Sequence, residues 1–220
     1  TRGTEIVDFR NNVIFNWGFN SSYGGELGQQ NIVNNYYKPG PATKKSVLSR
    51  ILEPFDSLGI WYISGNYMKG SPAVTSDNRA GVEGDYAGVA SILSSSPFPS
   101  APVKTEKASC AWKSVLKNTG ATLPRRDSYD SRIISETKSG KCAYGDTYGA
   151  GTGIIDSQDS AGGWPLLLTD DAPADTDGDG MPDKWETKRG LNPSDPADRN
   201  TVAASGYTML EEYINGIGSK

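Results

Sequence analysis

IVDFRNNVIFNW, residues 6–17, decides the fold, because versions of this stretch recur twice before residue 70. Residues 31–38 and 61–69 repeat its short β-branched and aromatic runs around an asparagine. Alignment of the three copies gives an apolar column and an asparagine column, with steps of 23 and 31 residues between the asparagines. The apolar column holds Phe9, Ile32 and Ile63, and the asparagine column holds Asn12, Asn35 and Asn66.

A repeat of this length, built of short strands, predicts a solenoid in which each turn buries its apolar face against its neighbours. Asparagine tolerates the left-handed backbone of a tight bend, and stacked side-chain amides can hydrogen-bond along the axis. The pattern therefore predicts a mainly β chain folded as a parallel β-helix. An antiparallel sandwich whose strands share an asparagine at the turn stays open, because the period is irregular.

Several longer strings resemble one known family, and together they cover nearly the whole chain. They are DFRNNVIFNWG, SSYGGE, NIVNNYYKPGPAT, TLPRRDSYDSRII, TGIIDSQDSAGGWP, DGDGMPDKWE and GYTMLEEYING. These strings are similar to the C-terminal half of the secreted bacterial pectate lyases. The resemblance implies the C-terminal coils of a right-handed parallel β-helix with capping helices over residues 1–169. It also implies a bacterial protein that is secreted, or located at the cell surface or in the periplasm.

The same resemblance implies a lyase that cleaves polygalacturonate, an acidic polysaccharide of pectin, by calcium-assisted β-elimination. In the family an arginine is the base, and it lies with the catalytic calcium ligands in coils upstream of the DFRNN segment. The catalytic residues are therefore unassigned here. Because Thr1 is not Met and precedes an asparagine turn by one strand, we expect a C-terminal part that needs the N-terminal half of the same protein for cleavage. The alternative is a non-catalytic, calcium-stabilised module that binds acidic polysaccharide.

The composition excludes several classes of protein. The chain has 220 residues and no His, which removes histidine-based acid–base chemistry and imidazole zinc sites. Its net charge of −4 is uneven, since residues 170–220 hold 11 acidic and 5 basic residues while the remainder is slightly cationic. A nucleic-acid-binding protein is normally far more basic, so we expect no nucleic-acid partner. No apolar run approaches the ~20 residues that span a bilayer, so we expect no membrane span.

Loops that leave a β-helix at one level form the wall of a groove, and polar residues there are candidates for substrate binding. Basic side chains in such a groove can hold the carboxylates of uronate sugars. The candidates are Arg2, Arg10, Tyr23, Glu26, Lys44, Lys45 and Arg50. Solvated loop residues without a function are the competing interpretation of each.

Two helices are predicted between residues 108 and 140. Residues 108–118 carry apolar side chains at helical spacing with Gly120 just beyond, and a second helix is expected to begin near Ser128. Cys110 and Cys142 bracket this segment. A single cysteine pair in a secreted protein is more often a disulfide than a metal or catalytic site, so we expect a disulfide, with two free thiols as the alternative.

Residues 175–186, DTDGDGMPDKWE, fit a twelve-residue calcium loop at every ligand position. Such a loop uses oxygen ligands at positions 1, 3, 5, 7, 9 and 12 and a glycine at position 6 for its sharp turn. The predicted ligands of Ca²⁺ are Asp175, Asp177, Asp179, Met181 through its carbonyl, Asp183 and Glu186. Residues 170–220 are therefore expected to form a small EF-hand-like helical module. A second loop at residues 201–212 keeps only Glu212 as a carboxylate, and we expect it to hold calcium weakly.

Overall fold

Two compact units make up the chain, Thr1–Leu168 and Thr169–Lys220. A computed structural model of the protein describes residues 5–122 and 125–217. Arg2, one of the predicted substrate-binding residues, lies outside these described residues. Within them, no helix is both long enough and apolar enough to cross a membrane.

Short parallel strands organise the first unit. They are β1 (Ile6–Arg10), β2 (Val13–Phe15), β3 (Tyr23–Gly24), β4 (Gln29–Val33), β5 (Tyr36–Lys38), β6 (Glu53–Pro54), β7 (Ile60–Ser64) and β8 (Tyr67–Met68). Each strand pairs with its counterpart in the next repeat, which gives the sheets β1-β4-β7, β2-β5-β8 and β3-β6. The predicted apolar column is confirmed, since Phe9 pairs with Ile32 and Ile32 pairs with Ile63.

A ladder of asparagine side chains lies at the bends that join the first sheet to the second. Asn12 Nδ2 donates to Asn35 Oδ1 at 2.9 Å, and Asn35 Nδ2 donates to Asn66 Oδ1 at 3.0 Å. The predicted stacking of these asparagines is therefore confirmed. The ladder also has a fourth member that the repeat does not predict, because Asn66 Nδ2 donates to Asn78 Oδ1 at 3.0 Å.

The residue before each of the first three ladder asparagines makes the left-handed bend. Asn11, Asn34 and Gly65 have φ angles of 60°, 54° and 70°. Two of these residues also hold a later segment of the chain, since Asn11 Oδ1 accepts from Glu106 N at 2.9 Å and Asn34 Nδ2 donates to Glu106 O at 2.7 Å. The bend asparagines therefore fix the chain just before the second half of the unit begins.

The predicted right-handed parallel β-helix is wrong for the described residues. They contain three small parallel sheets of three, three and two strands, and no closed or solenoid sheet. The named strands stop after the third repeat, and Pro72, in the segment that follows, has no amide proton to donate to a ladder. Ser71 instead caps a short helix, α1 (Pro72–Ser76), by accepting a hydrogen bond from Val74 N. Helices and turns then make up the rest of the described unit, apart from isolated bridges at Val82 and Leu93.

Both helices predicted between residues 108 and 140 are present. The remaining α-helices of the described residues are α2 (Ala108–Asn118), α3 (Ser128–Ser139), α4 (Asp183–Arg189) and α5 (Met209–Ile217). The 3₁₀ helices are Lys45–Val47, Asn78–Gly81, Ala90–Ile92, Gln158–Ala161 and Asp198–Asn200. Asp127 caps α3 by accepting from Asp130 N at 2.8 Å, and Gly140 ends it in the left-handed conformation.

Helix α2 packs beside the second sheet, against β2 and β5. The Trp112 ring lies 4.5 Å from the Tyr36 ring, centroid to centroid. Lys38, on the same strand as Tyr36, donates from Nζ to the carbonyls of Thr137 and Lys138 at 2.7 and 2.8 Å. A cation at the last carbonyls of a helix is favourable. Strand β5 therefore anchors both α2 and α3.

The second unit contains the helices α4 and α5. Gly190 ends α4 with a φ of 76°, and its nitrogen donates to the last turn of the helix. The Trp185 and Tyr213 rings meet edge to face with their centroids 5.4 Å apart, which joins α4 to α5. The loop that precedes α4 holds the acidic residues singled out by the sequence.

Candidate functional site

Residues 175–186, hereafter the acidic loop, wrap around the carboxylate of Asp175. Its Oδ1 accepts from Gly178 N at 2.8 Å, and its Oδ2 accepts from Gly180 N at 3.0 Å. Both glycines have positive φ angles, 71° and 97°, which side chains with a Cβ rarely adopt. The loop is therefore pre-shaped by its own backbone, with Gly180 at the sharp turn that position 6 requires.

Several carboxylate oxygens of the acidic loop are buried and accept no hydrogen bond. They are Oδ2 of Asp177, Oδ2 of Asp179, and both Oε1 and Oε2 of Glu186. Glu186 is fully buried, with 0% of its surface exposed, and Asp179 is 2% exposed. A buried carboxylate without a donor is costly, so its partner has to be a cation or a proton. These oxygens therefore fit a site for a metal ion.

The charges of the acidic loop act on one another. The pKa of Glu186 is raised to about 7, first by its burial and then by the negative charges of Asp177 and Asp179. Burial also raises the pKa of Asp177. The ligand oxygens of Asp175, Asp177 and Asp179 all lie within 4.8 Å of one another. Such mutual repulsion is relieved when a cation binds between the carboxylates.

Met181 and Asp183 support the loop in different ways. Met181 is fully buried, and its nitrogen donates to Asp179 Oδ1 at 2.8 Å. Both oxygens of Asp183 accept from Thr176, one from the backbone nitrogen at 2.7 Å and one from the hydroxyl at 2.8 Å. Asp183 thus closes the start of the loop onto the first turn of α4.

Asp198 is a site residue that the sequence reasoning missed. It lies in the 3₁₀ helix that follows α4, outside the twelve-residue loop, so a loop motif gives no signal for it. Its carboxylate nevertheless lies within 4.8 Å of those of Asp179 and Glu186. Its Oδ1 is buried without a hydrogen-bond partner, like the oxygens of the acidic loop.

Glu212, the carboxylate of the second predicted loop, has partners within the protein. Its Oε1 accepts a hydrogen bond from the Ser205 hydroxyl, and its Oε2 lies 4.0 Å from Arg189 Nη1. Its surroundings therefore differ from those of Glu186, whose two oxygens accept no hydrogen bond.

Two of the predicted substrate-binding arginines are held by acidic neighbours. Arg10 pairs with the Asp8 carboxylate, and this hydrogen bond raises the pKa of Arg10. Arg50 pairs with Glu53 and lies 3.0 Å from the carboxylate of Glu83. Both guanidinium groups therefore already have carboxylate partners within the unit.

The other predicted substrate-binding residues that the structure describes are exposed. Lys44 Nζ lies 5.4 Å from the centroid of the Phe19 ring, and the Tyr23 ring meets the Phe55 ring edge to face at 6.2 Å. Glu26 and Lys45 are exposed to solvent. Lys44 and Lys45 thus retain charge that an anionic sugar can reach.

The predicted disulfide between Cys110 and Cys142 is not formed, and both are free thiols. Cys110 is exposed on α2, whereas Cys142 is half-buried and its Sγ accepts from Asn16 Nδ2 at 3.6 Å. Burial, followed by the charge of Glu136, raises the pKa of Cys142. The two cysteines therefore have different surroundings.

Comparison with known proteins finds several fungal relatives, and no protein-family profile matches the chain. Proteins named "Probable pectate lyase C" are 32% identical over 230 residues in Aspergillus flavus, 31% over 217 residues in Emericella nidulans and 33% over 219 residues in Aspergillus fumigatus. Each alignment covers 96% of this chain and 48% of the relative. The chain therefore spans about half the length of the curated relatives it matches. The bacterial origin expected from the motifs is not supported.

Proposed function

We propose that this chain is part of a secreted pectate lyase that acts on polygalacturonate in pectin. The observation that carries the proposal is the alignment with proteins named "Probable pectate lyase C". It covers 96% of the chain at 31–33% sequence identity. The motifs that resemble pectate lyases lie within the aligned residues and point to the same activity. The reaction is a β-elimination, in which a base removes the proton on C5 of a uronate and the glycosidic oxygen on C4 leaves.

The pairing of Arg10 and Arg50 with carboxylates favours a base that lies elsewhere in the enzyme. A guanidinium acts as a base only in its neutral form, and a carboxylate partner stabilises the charged form. The pKa of Arg10 is raised by Asp8, and Arg50 is paired with two glutamates. Calcium, when bound between enzyme carboxylates and the uronate, withdraws charge from the substrate carboxylate and acidifies the C5 proton. We place those carboxylates with the base, outside the acidic loop.

The test of this activity compares the 220-residue chain with a longer protein that contains it. Release of unsaturated uronides from polygalacturonate is followed by ultraviolet absorbance, with and without calcium. We expect calcium-dependent release by the longer protein and none by the chain alone. Strong release by a verified 220-residue chain would contradict the placement of the base, and absence of release by the longer protein would contradict the lyase activity itself.

A second candidate function is binding of acidic polysaccharide without cleavage. It is favoured by the exposed Lys44 and Lys45 and by the exposed Phe19 ring, whose centroid lies 5.4 Å from Lys44 Nζ, because sugars stack on aromatic rings while lysines attract uronate carboxylates. The double variant Lys44→Ala/Lys45→Ala is then expected to bind polygalacturonate several-fold more weakly than the unmodified chain. The matched control is Lys113→Ala/Lys117→Ala, which removes the same charge from α2. Equal affinities for the two double variants would contradict this use of the surface.

We also propose that the acidic loop binds Ca²⁺. Its support is the set of buried, unpartnered carboxylate oxygens, together with a sequence that fits a calcium loop at every ligand position. Asp175, Asp177, Asp179 and Glu186 would supply carboxylate oxygens. Met181 would supply its carbonyl, and Asp183 would act through a water molecule, as position 9 often does.

Calorimetric titration of the chain with CaCl₂ tests the acidic loop directly. We expect one ion per chain, with binding lost in Asp177→Asn or Glu186→Gln. Asp171→Asn, which changes an acidic residue outside the loop, is the control and is expected to leave the affinity unchanged. If the unmodified chain takes up no calcium, the loop is not a calcium site.

A further inference from the structure

We propose that Asp198 is a direct ligand of the cation held by the acidic loop. The inference rests on the calcium site proposed above and adds to it a ligand from outside the loop. Asp198 lies 12 residues beyond Glu186, the last position of the loop. The site would then join two separate segments of the unit through one ion.

The two oxygens of the Asp198 carboxylate have different surroundings. Its Oδ2 accepts from Asn192 N at 2.8 Å, which fixes the orientation of the side chain. Its Oδ1 is buried and accepts no hydrogen bond. An oxygen that is both oriented and unpartnered has the arrangement of a metal ligand.

Asp198 shares its surroundings with two of the most buried carboxylates of the unit. Ligand oxygens of Asp179, Glu186 and Asp198 lie within 4.8 Å of one another. Glu186 is 0% exposed, and neither of its oxygens has a hydrogen-bond partner. Three carboxylates gathered this closely repel one another unless a cation lies between them. Among the described residues of this unit, the salt bridge is formed by Arg189 and Glu212. It involves none of the carboxylates of Asp179, Glu186 and Asp198.

The backbone between Glu186 and Asp198 holds the two carboxylates in place. Leu191 N donates to Glu186 O at 3.0 Å, which turns the chain back at the end of α4. Asp195 N then donates to Asn192 O at 2.9 Å, and Asp198 N donates to Asp195 O at 3.2 Å. Successive turns thus bring the Asp198 carboxylate next to those of Asp179 and Glu186, so its position does not depend on a flexible side chain alone.

The first experiment measures calcium affinity in two matched variants of the full chain by calorimetric titration with CaCl₂. Asp198→Asn keeps the size of the side chain and can still accept from Asn192 N, but it removes the charge. Asp195→Asn removes an equal charge three residues away, from an exposed carboxylate that accepts from Ala197 N. We expect Asp198→Asn to weaken binding roughly tenfold or more, because the number of charged ligands sets the affinity of such loops. Asp195→Asn is expected to change it only slightly.

The second experiment counts the water molecules on the bound ion. Tb³⁺ replaces Ca²⁺ in oxygen sites, and Trp185 lies next to Glu186 where it can sensitise terbium luminescence. Luminescence lifetimes in H₂O and D₂O report the number of coordinated waters. If Asp198 contacts the ion, Asp198→Asn gains about one bound water, whereas a residue that acts only through its charge changes the affinity but not the water count.

The outcomes separate this inference from the calcium site itself. A chain that binds no calcium would contradict the site, and with it the role of Asp198. Calcium binding that is equal in Asp198→Asn and Asp195→Asn, with an unchanged water count, would overturn the role of Asp198 alone. Circular dichroism of each variant without metal checks that it is folded.

Discussion

At the scale of single residues, Asn35 of the ladder uses the full hydrogen-bonding capacity of its side chain. Asn35 is fully buried, and its Nδ2 donates to Phe9 O at 2.9 Å as well as to Asn66 Oδ1. Its Oδ1 accepts from both the backbone and the side-chain nitrogen of Asn12. One side chain therefore satisfies groups from the repeats before and after its own.

We predict that Asn35→Ala lowers the free energy of unfolding of the chain by about 2–4 kcal/mol, because it leaves buried donors and acceptors of Asn12, Asn66 and Phe9 unpaired. Urea unfolding followed by circular dichroism measures the loss. Asn118→Ala, at an exposed position of α2, is the control and is expected to change stability by less than about 0.5 kcal/mol. A similar midpoint for the two variants would show that the ladder contributes little.

The sequence predicts the ladder as far as the repeat extends and no further. Asn12, Asn35 and Asn66 follow similar strings, so their alignment is a local signal. Asn78 lies only 12 residues after Asn66 and after no strand string, and it joins the ladder through the turn that follows α1. The sequence also does not predict that Arg10 and Arg50 pair with carboxylates, because the fold decides which acidic side chains they meet.

The two thiols provide a second prediction for single residues. In a Cys110→Ser variant, alkylation of Cys142 is expected to become rapid only at a pH above that of an ordinary thiol, because burial and Glu136 raise its pKa. The rate is measured with iodoacetamide as a function of pH, with a short cysteine peptide as reference. Absence of a reactive thiol in the denatured, unreduced wild-type chain would show that the cysteines are linked after all.

At the scale of elements, strand β5 connects the small sheets to the helices. Tyr36 stacks on Tyr67 of the next repeat, with centroids 4.7 Å apart, and its other neighbour is Trp112 of α2. The helix is thus held by a row of three rings from three elements. The sequence predicts the existence of α2 from its apolar spacing, but the ring that receives Trp112 belongs to a strand more than 70 residues earlier in the chain.

We predict that Trp112→Ala loosens α2 and destabilises the first unit by about 2 kcal/mol, since it removes aromatic contacts of a half-buried ring. Hydrogen exchange of the amides of α2 is expected to accelerate more than that of β4. Trp164→Ala is the control, because Trp164 is 83% exposed. Unchanged exchange in α2 would show that contacts other than the ring row hold the helix.

The sequence of the acidic loop predicts some features of the candidate metal site and not others. Its six proposed ligand positions and the turn at Gly180 follow from a twelve-residue pattern, because a calcium loop is contiguous in sequence. The pattern gives no information on Asp198, whose approach depends on the turns after α4. It also does not reveal that both oxygens of Asp183 accept from Thr176.

At the scale of the whole molecule, the two units have different sources of stability. The first has an apolar core that includes Tyr37, Ile51 and Trp61, all at 0% exposure. The second unit has buried carboxylates in and near the acidic loop. Residues 170–220 carry a net negative charge. A bound cation is therefore expected to stabilise the second unit far more than the first.

We predict that a calcium chelator lowers the unfolding temperature of the second unit while leaving that of the first unchanged. Binding to the folded form adds about 3 kcal/mol at a hundredfold excess of calcium over Kd. Calorimetric scans of the chain in CaCl₂ and in chelator measure the two transitions, and Glu186→Gln is expected to abolish the difference. Scans that coincide in calcium and in chelator would contradict the prediction.

The spacing of the asparagine ladder bears on how much foreign sequence the chain can carry. Successive ladder residues are separated by 23, 31 and 12 positions, yet their side-chain bonds measure 2.9, 3.0 and 3.0 Å. The hydrogen bonds thus align the bends of successive repeats, whereas the number of residues between the bends varies. Exposed residues 57–58, between two ladder positions, are accordingly a place where a peptide epitope can be grafted for display while the stack below keeps its register.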